Sequence, residues 1–205
     1  MKPTFTLFFL FLSFFAFSQN NPPKGRFQLG LGYSTHGSGD MDGVSFFTEY
    51  GKYTGKRFEY GLNIKSTIHW DEFNVLVSRP DGTVRDASFR YSSAGLQVGP
   101  FIGYHLLQAK HHQLMIQGGA FARFQNSTYP SSYSFYIDFT TNPPRPVFEF
   151  WHEEKQNIFT AGYSVDLSYD FITNKKLMLG VKAGFQNDTN GDVITQVCLV
   201  VGRKI

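Results

Sequence analysis

Phe58-Glu59-Tyr60-Gly61-Leu62-Asn63-Ile64-Lys65-Ser66-Thr67-Ile68-His69 alternates in character without a break. Phe58, Tyr60, Leu62, Ile64, Ser66 and Ile68 fall on one side of an extended chain. Glu59, Gly61, Asn63, Lys65, Thr67 and His69 fall on the other. Strand side chains point alternately to opposite faces, so this stretch predicts a strand with one oily face and one charged face.

The same rhythm recurs in seven other segments. They are Phe27–Ser34, Val44–Tyr53, Ala94–His105, Leu114–Phe124, Asn157–Asp170, Leu177–Gln186 and Val193–Gly202. Pro100, in the middle of the fourth segment, predicts a bulge or a locally broken ladder, because proline cannot donate to one. The connections are of two kinds. Thr54–Arg57, Gln108–His111 and Thr173–Lys176 are short polar turns, whereas Thr35–Gly43, Trp70–Arg90 and Gln125–Gln156 are long. Asn187–Asp192 is short and carries the Asn190-Gly191 hairpin signal. Short turns at one rim and long loops at the other fit a membrane barrel.

The outward aromatics form two bands. Tyr50, Phe58, Tyr60, Tyr104 and Tyr169 lie near the short-turn rim, and Tyr33, Phe46, Trp70, Phe124, Phe159 and Phe185 near the long-loop rim. Between them the outward residues are aliphatic, such as Leu29, Leu62, Ile64, Leu96, Val98, Ile116, Val165, Val181 and Leu199. Tyr and Trp favour the two bilayer interfaces, with the ring in oil and the polar tip in water. The expected fold is therefore all-β: an eight-stranded antiparallel up-and-down transmembrane β-barrel with long extracellular hairpins. The competing arrangement is a soluble lipocalin-like ligand-binding barrel, with the apolar phase inward and the Glu49/Lys65/Arg123 phase outward.

In this architecture the chain resembles the small outer-membrane β-barrel proteins of Gram-negative bacteria, especially the PorT-like and the OmpX- and OmpA-like eight-stranded barrels. The resemblance covers nearly all of residues 19–205 and implies outer-membrane lipid, lipopolysaccharide and the barrel insertion machinery as partners. Such barrels usually end in an aromatic residue, whereas this sequence ends Val201-Gly202-Arg203-Lys204-Ile205.

The start of the chain points the same way. Lys2 precedes an apolar stretch from Phe5 to Phe17 with seven phenylalanines, shorter than the roughly 20 residues a spanning helix needs. Ala16 and Ser18 supply the small residues of a cleavage site. Residues 1–18 are expected to be a signal peptide and 19–205 one barrel domain exported to the outer membrane; an uncleaved anchor is the alternative. The formal charge of +3 comes without the clustered Lys and Arg of a nucleic-acid binder, so no nucleic-acid partner is expected. The single Cys198 excludes an intramolecular disulfide.

The polar phase carries Glu49, Glu59 and Asp166 with Lys65, Arg123 and Lys182. An eight-stranded barrel is only just wide enough for its side chains, and charges held there are costly unless paired. A lumen plugged by a charge network is expected, with Gly30, Gly61, Gly99, Gly119 and Gly162 making room; a narrow gated channel is the alternative. The two longest loops read as hairpins. Asn74–Ser78 and Thr83–Arg90 flank the turn signal Arg79-Pro80-Asp81-Gly82, and Tyr133–Phe139 and Val147–Trp151 flank Asn142–Pro146. The second hairpin is rich in aromatics, with Tyr129, Tyr133, Phe135, Tyr136, Phe139, Phe148, Phe150 and Trp151. These suit an extracellular protein, by strand addition, or a glycan, by ring stacking. They also suit a hairpin held upright by its own packed rings.

Signals for chemistry are few. Gly30-Leu31-Gly32 has no following helix to hold a phosphate. Asp188, Asn190 and Asp192 have a calcium-like spacing, but Leu199 stands where the bidentate Glu belongs. His111-His112 reads as a solvated turn. A lipid-modifying barrel enzyme would draw on His36, His152 and Glu153, yet no nucleophile stands at a telling spacing. The sequence thus predicts no catalytic residues, no metal and no cofactor. It predicts a non-enzymatic barrel that is structural or binds a partner through its hairpins.

Overall fold

The computed structural model describes residues 24–37, 41–78, 82, 84–86, 88–128, 132–138, 140–142, 145–151 and 157–205. The expected signal peptide lies outside these residues. Twelve strands follow in order. Eight build the barrel: β1 (Gly25–His36), β2 (Met41–Thr54), β3 (Phe58–Phe73), β6 (Phe89–Gln108), β7 (His112–Ser127), β10 (Asn157–Ile172), β11 (Leu177–Asp188) and β12 (Val193–Lys204). The other four form two hairpins, β4 (Leu76–Ser78) with β5 (Val84–Asp86) and β8 (Ser132–Asp138) with β9 (Arg145–Trp151).

The barrel is closed in the order β1-β12-β11-β10-β7-β6-β3-β2, and its neighbouring strands run antiparallel. Closure between β1 and β12 (Leu29↔Val201, Tyr33↔Val197) leaves the sheet no unpaired edge. Each predicted strand is present, and most extend past their predicted ends. The wall is tallest at β3, β6, β7 and β10, of 16, 20, 16 and 16 residues, and both hairpins rise from that side.

The period-2 reading of the faces holds around the wall. Leu31, Ile102 and Leu199 are 61%, 66% and 74% exposed, whereas Arg26 and Arg123 are fully enclosed. The apolar phase faces outward, so the lipocalin-like arrangement, which needs it inward, is not the one adopted. The β6–β7 ladder is locally broken at Pro100, as expected: the pairing skips Gly99 and Pro100, while the register holds on either side, with Val98 facing Ala122 and Phe101 facing Gly119. A register shift lies farther on, between His105 and Leu107, beside the short turn. The Pro100 ring points outward, and on the β3 side the residue stays in register opposite Leu62, so the missing donor interrupts only the β7 side of the ladder.

Several lumen glycines are positions where a side chain would collide. A Cβ at Gly30 would enter the Phe47 ring; at Gly61 and Gly162 it would meet first the backbone oxygens of Tyr50 and Asn187 and then the Phe101 and Phe121 rings. Gly99 and Gly119 mainly face backbone instead, at Ala120 and Pro100. Gly51, Gly95 and Gly184 make room for Glu59, Arg123 and Asp166 in the same way.

Candidate functional site: the charged lumen and the aromatic hairpin

All six charged residues predicted for the interior lie there, joined in one thread along the barrel axis. Glu49, on β2, is its hub. One carboxylate oxygen accepts from Arg26 Nη2 at 2.5 Å. The other accepts from Lys182 Nζ (2.8 Å), Gln117 Nε2 (2.9 Å) and Asn63 Nδ2 (3.0 Å). These donors stand on β1, β11, β7 and β3, so one carboxylate ties together widely separated parts of the wall. Such charge-assisted bonds are the stronger kind and offset the cost of burying ions.

Toward the short turns, Arg26 Nε donates to Glu59 Oε1 at 2.6 Å, and His105 Nε2 lies 3.3 Å from Glu59 Oε2. Toward the long loops, Gln117 donates to Asp166 (3.1 Å), which stands 4.0 Å from Lys65. Lys65 donates to Gln186, and Gln186 to Gln97. Arg123 donates to Gln97, Thr67 and Gln125, and Gln125 donates to Asp192. Lys182 also sits 4.5 Å from the centre of the Phe47 ring, a cation–π approach within an enclosed site.

The sequence reading missed three members of this interior. Arg26 lies two residues before Gln28, Asp170 two after Ser168, and His105 two after Gly103. Asp170 and His105 close their predicted segments and Arg26 stands just before its own, so carrying the alternation through to the segment ends, and one residue beyond at β1, would have found them. Asp170 accepts from Gln28 Nε2 at 3.1 Å. Arg123 differs from the expectation of paired charges: among the described residues its hydrogen bonds go to the amide oxygens of Gln97 and Gln125 and the Thr67 hydroxyl rather than to a carboxylate.

The mouth of the lumen holds a second cluster. Ser34 Oγ lies 2.9 Å from His69 Nε2, the His36 ring stacks obliquely on His69 at 5.3 Å, and His36 Nε2 is 3.7 Å from Asp192 Oδ2. The Ser–His pair has the spacing of an activated nucleophile. Ser34 and His69 are nonetheless sealed from solvent, and among the described residues His69 Nδ1 has no hydrogen-bond partner to orient the ring. His152 and Glu153, the other groups considered for an enzyme, lie outside the described residues.

The remaining signals resolve locally. Asp188 Oδ1 accepts from the backbone N–H of Asn190 and Asp192, and its Oδ2 accepts from Thr160. Its carboxylate therefore builds the β11–β12 turn. That turn reverses at Gly191 with φ +80°, where glycine is favoured. His111 and His112 are not simply solvated: their Nδ1 atoms bond Ile172 O (2.9 Å) and Tyr169 OH (2.7 Å), and both rings pack on Phe171.

The β8–β9 hairpin aligns Tyr133 with Phe150, Phe135 with Phe148 and Tyr136 with Val147 along its backbone. Tyr136 and Trp151 are exposed. Phe139 and Tyr129 lie outside the described residues, as do the side chains of Tyr133, Phe135, Phe148 and Phe150.

No protein-family model and no curated protein matches the chain. Solved structures do resemble it. Neisserial surface protein A superposes with a TM-score of 0.59 at 8% identity, covering 89% of this chain and 97% of that one. OprG from Pseudomonas aeruginosa gives 0.47 at 9%, covering 92% and 99%. Ail, the attachment invasion locus protein of Yersinia pestis, gives 0.46 at 8%, covering 88% and 98%. At such identity the likeness to the neisserial protein is one of fold, and it agrees with the closed eight-stranded barrel.

Proposed function

We propose that this chain is an outer-membrane β-barrel protein whose lumen is plugged by its own charged side chains and whose long hairpins bind a partner outside the cell. One observation carries the membrane reading: the wall is apolar outside and ionic inside. Leu62, Ile64, Leu96, Val98, Val165 and Val181 face outward between two aromatic bands, while Arg26, Glu49, Lys182 and Arg123 are enclosed. A water-soluble protein rarely exposes so continuous an apolar surface; lipid outside removes the contradiction. The short turns then face the periplasm and the hairpins the exterior. Residues 1–18 act as the export signal for a barrel of residues 19–205, in the manner of PorT-like or OmpX- and OmpA-like barrels, inserted by the common machinery among lipid and lipopolysaccharide. Membrane fractionation tests this: extraction only by detergent is expected, and a soluble periplasmic product would overturn it.

The plug is supported by the Glu49 hub, whose donors reach it across the lumen. Single-channel recording in a planar bilayer is expected to show no steady openings; sustained nanosiemens conductance would defeat the plug. The partner is an extracellular protein added along the open edge of β8–β9, or a glycan stacked on its aromatic rings. Deleting Thr128–Glu153 is expected to leave an inserted barrel that no longer binds; binding retained by the deletion would remove the hairpin from this role.

A further inference from the structure

The charges outside the lumen are sorted by rim. At the short-turn rim, Lys24 opens β1, Lys52 lies near the end of β2, and Lys56 and Arg57 form the β2–β3 turn. Lys110 lies in the β6–β7 turn, Lys175 and Lys176 in the β10–β11 turn, and Arg203 near the end of β12, whose Lys204 instead turns inward over the Tyr53 ring. Every junction of that rim thus carries a base. The described acids at this level, Glu59 and Asp170, are buried inside the barrel. The opposite rim is acidic on balance: Asp42, Glu72, Asp86 and Glu149 are exposed there, against Arg145 and against Arg90, which is tied to Glu72 at 3.2 Å.

Five bases of the ring stand without an ion pair to any described residue, and the ring sits at a definite height. Among the described residues, Lys24, Lys52, Lys56, Lys110 and Lys175 make no ion pair. Arg57 donates to Tyr104 OH at 3.0 Å, and its guanidinium lies 6.0 Å from the centre of that ring. The bases therefore stand immediately beyond the tyrosine band, the level at which headgroups begin. Between the β10–β11 turn and β12 the rim encloses a hollow of about 550 Å³, lined by Lys175 and Arg203 with Thr173, Asn174 and Leu177. Two cations, two polar side chains and an apolar floor match a phosphate group with the head of an acyl chain below it.

We propose that the short-turn rim is a binding ring for anionic phospholipid headgroups, with the Lys175/Arg203 hollow as its best-formed seat. A docked protein would call for charge on one side of the barrel, whereas these bases encircle it as an annulus of lipid does. Anionic surfaces attract such basic clusters, and salt screens the attraction. The inference rests on the membrane reading above.

The test reconstitutes the full chain into phosphatidylcholine bilayers and compares spin-labelled phosphatidylglycerol with spin-labelled phosphatidylcholine at the protein boundary. At low salt the anionic probe is expected to associate about fivefold more strongly. The ratio is expected to fall toward unity in roughly 0.5 M salt. It should fall likewise in the variant Lys56→Gln/Arg57→Gln/Lys110→Gln/Lys175→Gln/Lys176→Gln, and persist in Glu72→Gln/Asp86→Asn/Glu149→Gln. Insertion with equal association of the two probes overturns the ring alone, as does a preference that the basic-rim variant keeps. Failure to insert into phosphatidylcholine overturns the membrane reading and the ring together.

Discussion

The barrel interior and the β8–β9 hairpin are both antiparallel sheet, yet they secure their polar groups by opposite means. Inside the barrel, Glu49 bonds residues 23, 133, 68 and 14 positions away in sequence, on four different strands. In the hairpin, Tyr136 bonds Glu149 across one pairing, and Asp138 bonds Thr140 two residues on. Injury to the interior should therefore spread through the barrel, while injury to the hairpin should stay where it is made.

The largest effect is expected at the hub. Glu49→Leu leaves Lys182 enclosed without its carboxylate and Arg26 with Glu59 alone, and breaking a buried pair from one side typically costs about 3–5 kcal/mol. Urea unfolding of the protein refolded in lipid measures this. A cost below about 1 kcal/mol would mean that the thread is not what joins the walls. A glycine pair gives the next step down. Gly95→Val pushes a side chain into the Arg123 guanidinium, which three hydrogen bonds hold in place; overpacking of this kind costs about 1–3 kcal/mol. Gly118→Ala is the matched control, because its Cβ would meet only the Ser164 carbonyl oxygen at 3.9 Å. Equal effects at the two positions would break the distinction between the inside and outside of the wall.

How much of this was legible depended on where the alternation runs unbroken. The Phe58–His69 stretch assigned both faces of its strand and placed Glu59 and Lys65 in the lumen before any contact was known. Arg26 escaped because it lies just before the predicted start of its strand, and Asp170 and His105 because each is the last residue of its predicted segment, near where the pattern meets a turn. The connectivity of the thread was not legible at all. Which amide reaches Arg123, and that Glu49 is a hub, depends on register around a closed barrel, which a period of two leaves open. The hairpins were legible as hairpins from their Pro- and Gly-bearing turns. What they bind is not written in aromatic content alone, since Tyr136 and Trp151 serve equally for packing or for a partner.

A smaller effect is expected at the mouth, where the thread leaves the barrel through Asp192. Burial acts to raise the pKa of this carboxyl, but the neighbouring His36 ring at 3.7 Å and hydrogen bonds from Asn190 and Gln125 outweigh it and hold the value at about 2 rather than 3.8. A folded-state pKa below the unfolded one stabilises above the unfolded value, and that stabilisation is lost as pH falls. The contribution is at most about 2 kcal/mol, complete above roughly pH 5 and gone below roughly pH 2. Asp192→Asn should flatten the acid limb of the stability profile over that window while leaving the Glu49 effect intact. An unchanged acid limb would detach Asp192 from the thread.

The smallest effect tests the hairpin side of the comparison. Tyr136 donates to Glu149 on the solvent-exposed surface, and that bond, with the nearby negative charge, raises the phenol's pKa above its ordinary value. Tyr136→Phe keeps the ring and removes the bond. Exposed pairs contribute little to global stability, and the β8–β9 sheet pairs with itself rather than with the barrel ladder. The unfolding midpoint should therefore not move, and the difference titration between the two proteins should show a phenol ionising late. Amide exchange should quicken within 132–151 and stay unchanged along β1, β2 and β3, because local opening of an isolated hairpin need not open the closed sheet. Faster exchange in the barrel strands would show that the hairpin braces the wall, and the two regions would then have to be read as one cooperative unit.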